Sequence, residues 1–206
     1  MSICYIVGAG ECKKLDFTKK DGDIVIAADG GYKYLQQAGI KPDIVIGDFD
    51  SLGKAPEGEK IIRLKPEKDV TDTYAAVSEG IKCGYSRFNI YGASGGRIEH
   101  TLANIQLIAY LAEKNMQASI FDGSTVITAV TAKTLRFDSA YNGYISIFAH
   151  SDKCTGVCLR GLKYPLENAE LSNLFPLGVS NEFLGVESEI VIGNGTAIIV
   201  YSLPES

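Results

Sequence analysis

The sequence predicts an α/β fold in two parts: a largely parallel α/β domain over residues 1–122, followed by an all-β sandwich over residues 123–206. Two patterns carry this expectation. Up to residue 122, short β-branched runs alternate with amphipathic stretches of helical period, as in β-α units built around a mostly parallel sheet. Beyond Asp122-Gly123 the long helical periods disappear, and Gly, Asn and Asp punctuate short strand-like runs. The chain of 206 residues, 46% apolar and 22% charged, has material for a sizeable core in one large domain or two small ones.

Taken in order, strands are expected at Ile3–Val7, Ile24–Ala28, Ile44–Ile46, Ile61–Leu64, Asn89–Tyr91 and Ala118–Phe121. Between them, Tyr74, Val77 and Ile81 share one helical face and Leu102, Ile105, Ala109 and Ala112 another, predicting helices of roughly three to four turns. In the second part strands are expected at Thr125–Val130, Tyr144–Phe148, Glu189–Ile192 and Thr196–Tyr201, with a turn at Gly193-Asn194-Gly195. A β domain of roughly 80 residues is small enough that contacts with a partner would help stabilise it.

Composition removes several classes of function. The 22 glycines follow no three-residue period and prolines number only 6, which excludes a collagen-like chain. With 25 acidic against 20 basic residues, a net charge of -5 argues against broad capture of a nucleic acid polymer. No basic leader and no run of roughly 18 apolar residues occurs, so a soluble, cytoplasmic protein without a membrane span is expected. Cys4, Cys12, Cys83, Cys154 and Cys158 are an odd, scattered set without paired C-x-x-C spacing, which favours neither a zinc site nor a disulfide framework.

The informative feature is where the aspartates fall. Ile24–Ala28 leads into Asp29-Gly30-Gly31, and Ile44–Ile46 leads into Gly47-Asp48-Phe49-Asp50-Ser51. In an open α/β sheet the ligand crevice lies beyond the carboxyl ends of the strands, so both clusters are expected on one rim. Convergent carboxylates repel unless a cation joins them. A third cluster, Lys68-Asp69-Val70-Thr71-Asp72, stands where a strand passes into a helix, and Asp69 and Asp72 can point the same way. Hard oxygen donors of this kind suit Mg²⁺ bound through a few carboxylates plus substrate phosphates. The plainer alternative is that Asp72 only favours the helix N-terminus.

A fourth segment, Gly92-Ala93-Ser94-Gly95-Gly96-Arg97-Ile98-Glu99-His100, again joins a strand to a helix. Glycines let backbone amides approach an anion, the helix adds its positive end, and the Arg97 fork can neutralise phosphate oxygens. It is neither a Walker loop nor a G-x-G-x-x-G fingerprint. Gly8-Ala9-Gly10 is a weaker echo, expected to be a turn. His100 at a helix start is more often a capping or core residue than a catalyst. Together the four strand-end clusters describe a metal-nucleotide site. The Gly47-Asp48-Phe49-Asp50-Ser51 block also fits a phosphatase D-x-D-x-[TV] loop, except that Leu52 occupies the last position. A third alternative is a silent nucleotide-binding module.

The combination resembles the thiamine pyrophosphokinase (thiamine diphosphokinase) family. The matching blocks are Ala27-Ala28-Asp29-Gly30-Gly31, Gly47-Asp48-Phe49-Asp50-Ser51, Lys68-Asp69-Val70-Thr71-Asp72 and Gly95-Gly96-Arg97-Ile98-Glu99-His100. Gly161-Leu162-Lys163-Tyr164-Pro165-Leu166 and Gly178-Val179-Ser180-Asn181-Glu182 also match, so the resemblance runs in order over nearly the whole chain. It implies an ATP- and Mg²⁺-binding catalytic domain over 1–122 and a thiamine-binding, dimerising β-sandwich over 123–206. It also implies transfer of the pyrophosphoryl group of ATP to the hydroxyl of thiamine by a homodimer.

On the same resemblance Asp48, Asp50 and Asp72 hold Mg²⁺. Asp29, Gly30, Gly31, Lys68, Gly95, Gly96, Arg97 and His100 surround ATP, and Asp48, Asp69, Asp72 and Arg97 take part in catalysis. Thiamine lies near the dimer interface, with Ser180 and Asn181 at its pyrimidine end and Tyr164 as a stacking surface. Two departures stand out. Glu99 replaces the usual Asp, displacing its carboxylate by about 1 Å or more in a site where Mg²⁺ demands tight octahedral distances. Tyr164 stands where some relatives carry Trp, offering a smaller face.

Overall fold

The computed structural model describes residues 2–48, 60–65 and 70–204. These divide into two compact units, one of residues 1–107 and 118–123, the other of 108–117 and 124–206.

The first unit contains β1 (Cys4–Val7), β2 (Ile24–Ala28), α1 (Gly31–Gln37), β3 (Ile44–Gly47), β4 (Lys60–Arg63), α2 (Asp72–Lys82), β5 (Arg87–Tyr91), the first turns of α3 (Ile98–Glu113) and β6 (Gln117–Asp122). Its strands lie in the order β6-β5-β1-β2-β3-β4. β1 pairs in parallel with β2 and with β5, and β2-β3 and β3-β4 are parallel as well. The chain builds outward from β1 through β2, β3 and β4, then returns to place β5 on the other side of β1. That reversal is a topological switch point, where the loops leaving β1 and β5 diverge and open a crevice.

Alternation along the strands gives each sheet face its own packing. Tyr5, Val7, Val25, Ala27, Val45 and Tyr91 share one core with Leu35 of α1. Aromatic rings continue it, with Tyr5 stacked on Phe17 at 4.1 Å and Tyr91 on Phe121 at 5.0 Å between centroids. The buried face of α2 is Thr73, Ala76, Val77 and Gly80, whereas Tyr74 is 38% exposed. This corrects the expected face of Tyr74, Val77 and Ile81. Small residues are selected there because the helix lies close to the sheet: a Cβ on Gly80 would come within 2.8 Å of Phe88 and 2.9 Å of Cys4. In α3 likewise Leu102 is exposed, while Leu107, Ile108, Ala109, Leu111 and Ala112 are buried.

The second unit holds β7 (Thr125–Thr131), β8 (Thr134–Phe137), β9 (Tyr144–Ala149), β10 (Lys153–Arg160), β11 (Leu166–Ser172), β12 (Gly178–Glu182), β13 (Ser188–Val191) and β14 (Thr196–Ser202). Two antiparallel layers, β12-β9-β14-β7 and β11-β10-β13-β8, face each other as a sandwich. Their shared core joins Val130, Ile145, Ile147 and Ile199 from one layer to Phe137, Val157, Leu159 and Ile190 from the other. Phe137 sits at the centre of an edge-packed aromatic cluster with Tyr141, Phe183 and Tyr201. The chain is thus an α/β protein with a largely parallel α/β part followed by an all-β sandwich. Five elements that the periodicity had not indicated are α1, β8, β10, β11 and β12.

Candidate functional site: a cavity at the switch point

A cavity of about 450 Å³ opens beyond the carboxyl ends of β1, β2 and β5. Its size falls within the roughly 300–1,000 Å³ of small-molecule sites. The loop after β1 supplies Ala9, Gly10 and Glu11, and the end of β2 supplies Ala28 and Asp29. Thr71, Asp72 and Thr73 enter from the start of α2, and the turn from Gly92 to Arg97 closes the opposite wall with His100 and Asn104.

The turn after β5 is shaped from behind. Gly10 N–H donates to the carbonyl of Gly92 at 2.8 Å, Asn104 Nδ2 to that of Ala93 at 2.8 Å, and Glu11 N–H to that of Ser94 at 3.0 Å. Three successive carbonyls are thereby engaged, while among the described residues the amides of 93–97 donate to no backbone carbonyl. A turn with occupied carbonyls and available amides, leading into the positive end of a 16-residue helix, has the polarity of an anion cradle. Ser94 Oγ is buried in the same wall without a hydrogen-bond partner.

Gly8-Ala9-Gly10, expected to be only a turn, is the scaffold of this wall. Gly92 has φ +60°, and a Cβ there would stand 2.4 Å from the carbonyl oxygen of Gly8. A Cβ on Gly8 or Gly10 would likewise crowd the carbonyl oxygen of Gly92, so glycine at all three positions lets these loops run so close. Glu11 and Asn104 belong to the site for the same reason, and neither carries a local sequence signal.

Asp29 and Asp72 reach the cavity from separate elements. Asp29 has φ 45°, an uncommon conformation for a non-glycine residue. It is held there by its N–H on the carbonyl of Ile46 at 2.7 Å and its own carbonyl on Tyr32 N–H at 3.2 Å. Strain of this kind costs on the order of 1–3 kcal/mol and persists where surrounding structure over-determines it. Asp72 opens α2, but the cap is Thr71, whose Oγ1 accepts from Tyr74 N–H at 3.1 Å. Asp48 follows β3 directly and is half-buried, outside the cavity lining. Asp50, Lys68 and Asp69 lie outside the described residues.

Arg97 is exposed and donates through Nε to Glu99 Oε1 at 2.7 Å. The guanidinium beside Glu99 holds its carboxyl below the usual carboxylate range. The longer acid at position 99 is thus engaged with Arg97. Gly30 and Gly31 are outside the cavity lining: Gly30 is the N-cap of α1, and Gly31 is buried against Val7.

Asp29 and Asp72 bring two hard oxygen donors to a cavity that also carries the amide cradle. This donor set fits Mg²⁺, an ion that commonly uses one or two carboxylates and completes its shell with phosphates and waters. Among the described residues no three His, Cys, Asp or Glu side chains form a closed metal cage.

In the second unit, Tyr164 is 57% exposed, with Lys163 Nζ 5.5 Å from its ring centroid. Ser180 is exposed with φ 57°, and its N–H donates to Ser146 Oγ at 3.0 Å. Asn181 is 3% exposed and its side chain meets the backbone of Tyr164. These three positions therefore gather at one place on β12 and the β10–β11 connection.

Comparison with known proteins agrees with both halves. The family model for the thiamin pyrophosphokinase catalytic domain matches residues 17–120, and that for the thiamin pyrophosphokinase vitamin B1 binding domain matches 132–199. The chain is 30% identical over 185 residues to the thiamine pyrophosphokinase of Bacillus subtilis, covering 86% of each. Its fold is similar to the crystal structure of Bacillus subtilis thiamine pyrophosphokinase, with TM-score 0.87, 26% identity, and 98% and 99% of the two chains covered. The thiamin pyrophosphokinase of Geobacillus thermodenitrificans gives 0.85, 27%, and 99% of each chain. With both domains matched in order over most of the chain, the protein belongs to the thiamin pyrophosphokinase family.

Proposed function

We infer that this chain is a thiamine diphosphokinase, transferring the pyrophosphoryl group of ATP to the hydroxyl of thiamine to give thiamine diphosphate and AMP. The observation that carries the reading is the cavity at the β1/β5 switch point, where an amide cradle and the carboxylates of Asp29 and Asp72 share one wall system. The phosphatase alternative is not favoured, because the matched family spans both the catalytic and the vitamin B1 binding parts.

In the proposed reaction the thiamine hydroxyl attacks the β-phosphorus of ATP, the bond to the α-phosphate breaks, and AMP departs. The amides of 93–97 and the guanidinium of Arg97 hold the phosphate oxygens and stabilise charge as it develops on them. Asp48, Asp50 and Asp72 are the residues assigned to Mg²⁺, with Asp29 beside them. When bound, Mg²⁺ supplies further charge neutralisation on the phosphates. Asp48 or Asp69 can accept the hydroxyl proton, although a loose transition state lets that proton leave late and needs no strong base. Lys68 and His100 complete the nucleotide side in this assignment, and Tyr164 and Ser180 the thiamine side. Incubation with ATP, Mg²⁺ and thiamine should release AMP and thiamine diphosphate in equal amounts. Phosphate release independent of thiamine would point to a hydrolase, and ATP binding without turnover to a silent module.

A homodimer with thiamine bound near its interface is part of this proposal. β12 ends its layer, and the approach to it exposes Leu174, Phe175 and Leu177 at 90%, 66% and 49%, with Val179 also exposed. An edge strand approached by exposed apolar side chains is a surface that pairing would cover. Ser180 and Asn181 lie on that same strand. A solution mass measurement should give twice the 22.2 kDa chain mass, and monomer alone under turnover conditions would remove the interface model. No helix among the described residues is long and apolar enough to cross a membrane. The five free thiols suit the reducing cytoplasm we assign to it.

A further inference from the structure

Asn181 is a buried side chain of the second unit whose hydrogen bonds place it against Tyr164, a proposed thiamine contact. It is 3% exposed. Its Oδ1 accepts from the backbone N–H of Tyr164 at 2.9 Å and from that of Glu182 at 2.9 Å, and its Nδ2 donates to the carbonyl of Tyr164 at 2.8 Å. Both backbone groups of Tyr164 are therefore met by one carboxamide, which acts as a neighbouring strand would.

The surrounding backbone shows why a side chain does this work. Leu162 bridges Phe183 in antiparallel fashion, and Lys163 N–H donates to the carbonyl of Glu182 at 3.0 Å. After this bonded pair, Tyr164 and Asn181 fall on a position where an antiparallel ladder makes no backbone bond, and the backbone of Asn181 lies opposite Ile145 of β9. The Asn181 carboxamide meets the Tyr164 backbone where the ladder itself does not. Immediately before it, the β12–β9 register shifts between Gly178 and Asn181, and Ser180 takes φ 57°. A bulge of this kind re-aims the side chain that follows it. Lys163 Nζ also bonds Glu182 Oε1 at 2.6 Å while standing 5.5 Å from the Tyr164 ring centroid. Through these contacts the base of Tyr164 is fixed and its ring is left exposed.

We propose that Asn181 is a positioning residue that acts on thiamine through Tyr164, holding the Tyr164 backbone so that its ring is presented as a preformed stacking face. The inference rests on the reading of Tyr164 as the thiamine stacking surface. It assigns the Asn181 carboxamide to the protein rather than to the pyrimidine. A ring already ordered before binding loses less conformational freedom on meeting its ligand, which is what the clamp contributes.

The test is a double-mutant cycle on thiamine dissociation constants with Asn181→Ala, Tyr164→Ala and the double variant. Tyr164→Ala should weaken thiamine binding about 10-fold, the scale of one aromatic stacking contact. Asn181→Ala should weaken it less, and the double variant should be no weaker than Tyr164→Ala alone. If the two losses multiply, Asn181 contacts thiamine independently and the proposal is overturned. If Tyr164→Ala leaves binding unchanged, the stacking assignment itself fails, and the clamp role falls with it.

Asn181→Asp, which preserves shape, gives a second readout. Its carboxylate would face the Tyr164 carbonyl without a proton to donate. Thiamine affinity, taken relative to the parent chain at each pH, should be low at neutral pH and recover as the pH falls and the carboxyl gains its proton. A pH-independent ratio would overturn the proposal.

Discussion

Asp72→Asn is expected to lower turnover by about 10²–10³-fold while leaving the fold intact, and to shift the Mg²⁺ dependence of the remaining activity to higher concentration. The substitution keeps the shape of the side chain and removes its charge, so it separates the two roles open to this residue. As a helix-terminal acid Asp72 is worth only about 0.3–1 kcal/mol. The structure limits that role further, because the capping bond of α2 is made by Thr71 Oγ1 to Tyr74 N–H. As a ligand to a metal that neutralises phosphate charge, the same carboxylate contributes several kcal/mol to the transition state. The measurement is kcat against Mg²⁺ concentration, with a thermal melt beside it. Unaltered Mg²⁺-dependent turnover would remove the metal role and leave Asp72 as a helix-terminal charge.

Gly31→Ala is expected to cost about 3 kcal/mol or more, enough to leave much of the chain unfolded. A Cβ at this position would lie 1.9 Å from the carbonyl oxygen of Val7 and 2.5 Å from its carbonyl carbon. Both are backbone atoms of β1, the strand that pairs with β2 on one side and β5 on the other, so they cannot turn aside as a flexible side chain would. Relief requires α1 to move off the sheet. That movement would pull Leu35 from the core it shares with Val7 and Val25, and would disturb Asp29 two residues upstream. Urea denaturation of parent and variant measures the loss, and an unchanged midpoint would mean that α1 approaches β1 less closely than described. In the sequence Gly31 belongs to the acid-glycine block assigned to ATP, and its contacts give it a packing role as well.

The strand-end acids and the glycine-rich turn were legible because a parallel sheet concentrates ligand chemistry at the carboxyl ends of its strands. Asp29, Asp72, Gly95, Gly96, Arg97 and His100 could thus be gathered from local pattern, and all of them line one cavity. Glu11 and Asn104 could not be found in this way. Asn104 sits in a helix interior and reads as an ordinary polar position until its bond to the carbonyl of Ala93 is seen. The missed elements have comparable causes. α1 is only seven residues long with one fully buried apolar side chain, Leu35, too little for a helical period to emerge. β11, with the sequence LENAELS, alternates weakly because its core-packed residues Leu166, Ala169 and Leu171 are unevenly spaced, in a strand whose pairing with β10 shifts register.

By itself the sequence determined the α/β class, the sandwich that follows, the order of the acidic and glycine blocks, and the family to which they belong. These are properties of local periodicity and of motifs carried within a few residues. The tertiary structure alone decided that β5 lies beside β1, so that Gly8-Ala9-Gly10 backs the turn at Gly92. It also decided that the small side of α2 faces the sheet, and that Asn181 spends its carboxamide on Tyr164. Each of these depends on backbone groups brought together from distant parts of the chain, and a hydrogen bond or a steric limit between them exists only once the strands have paired.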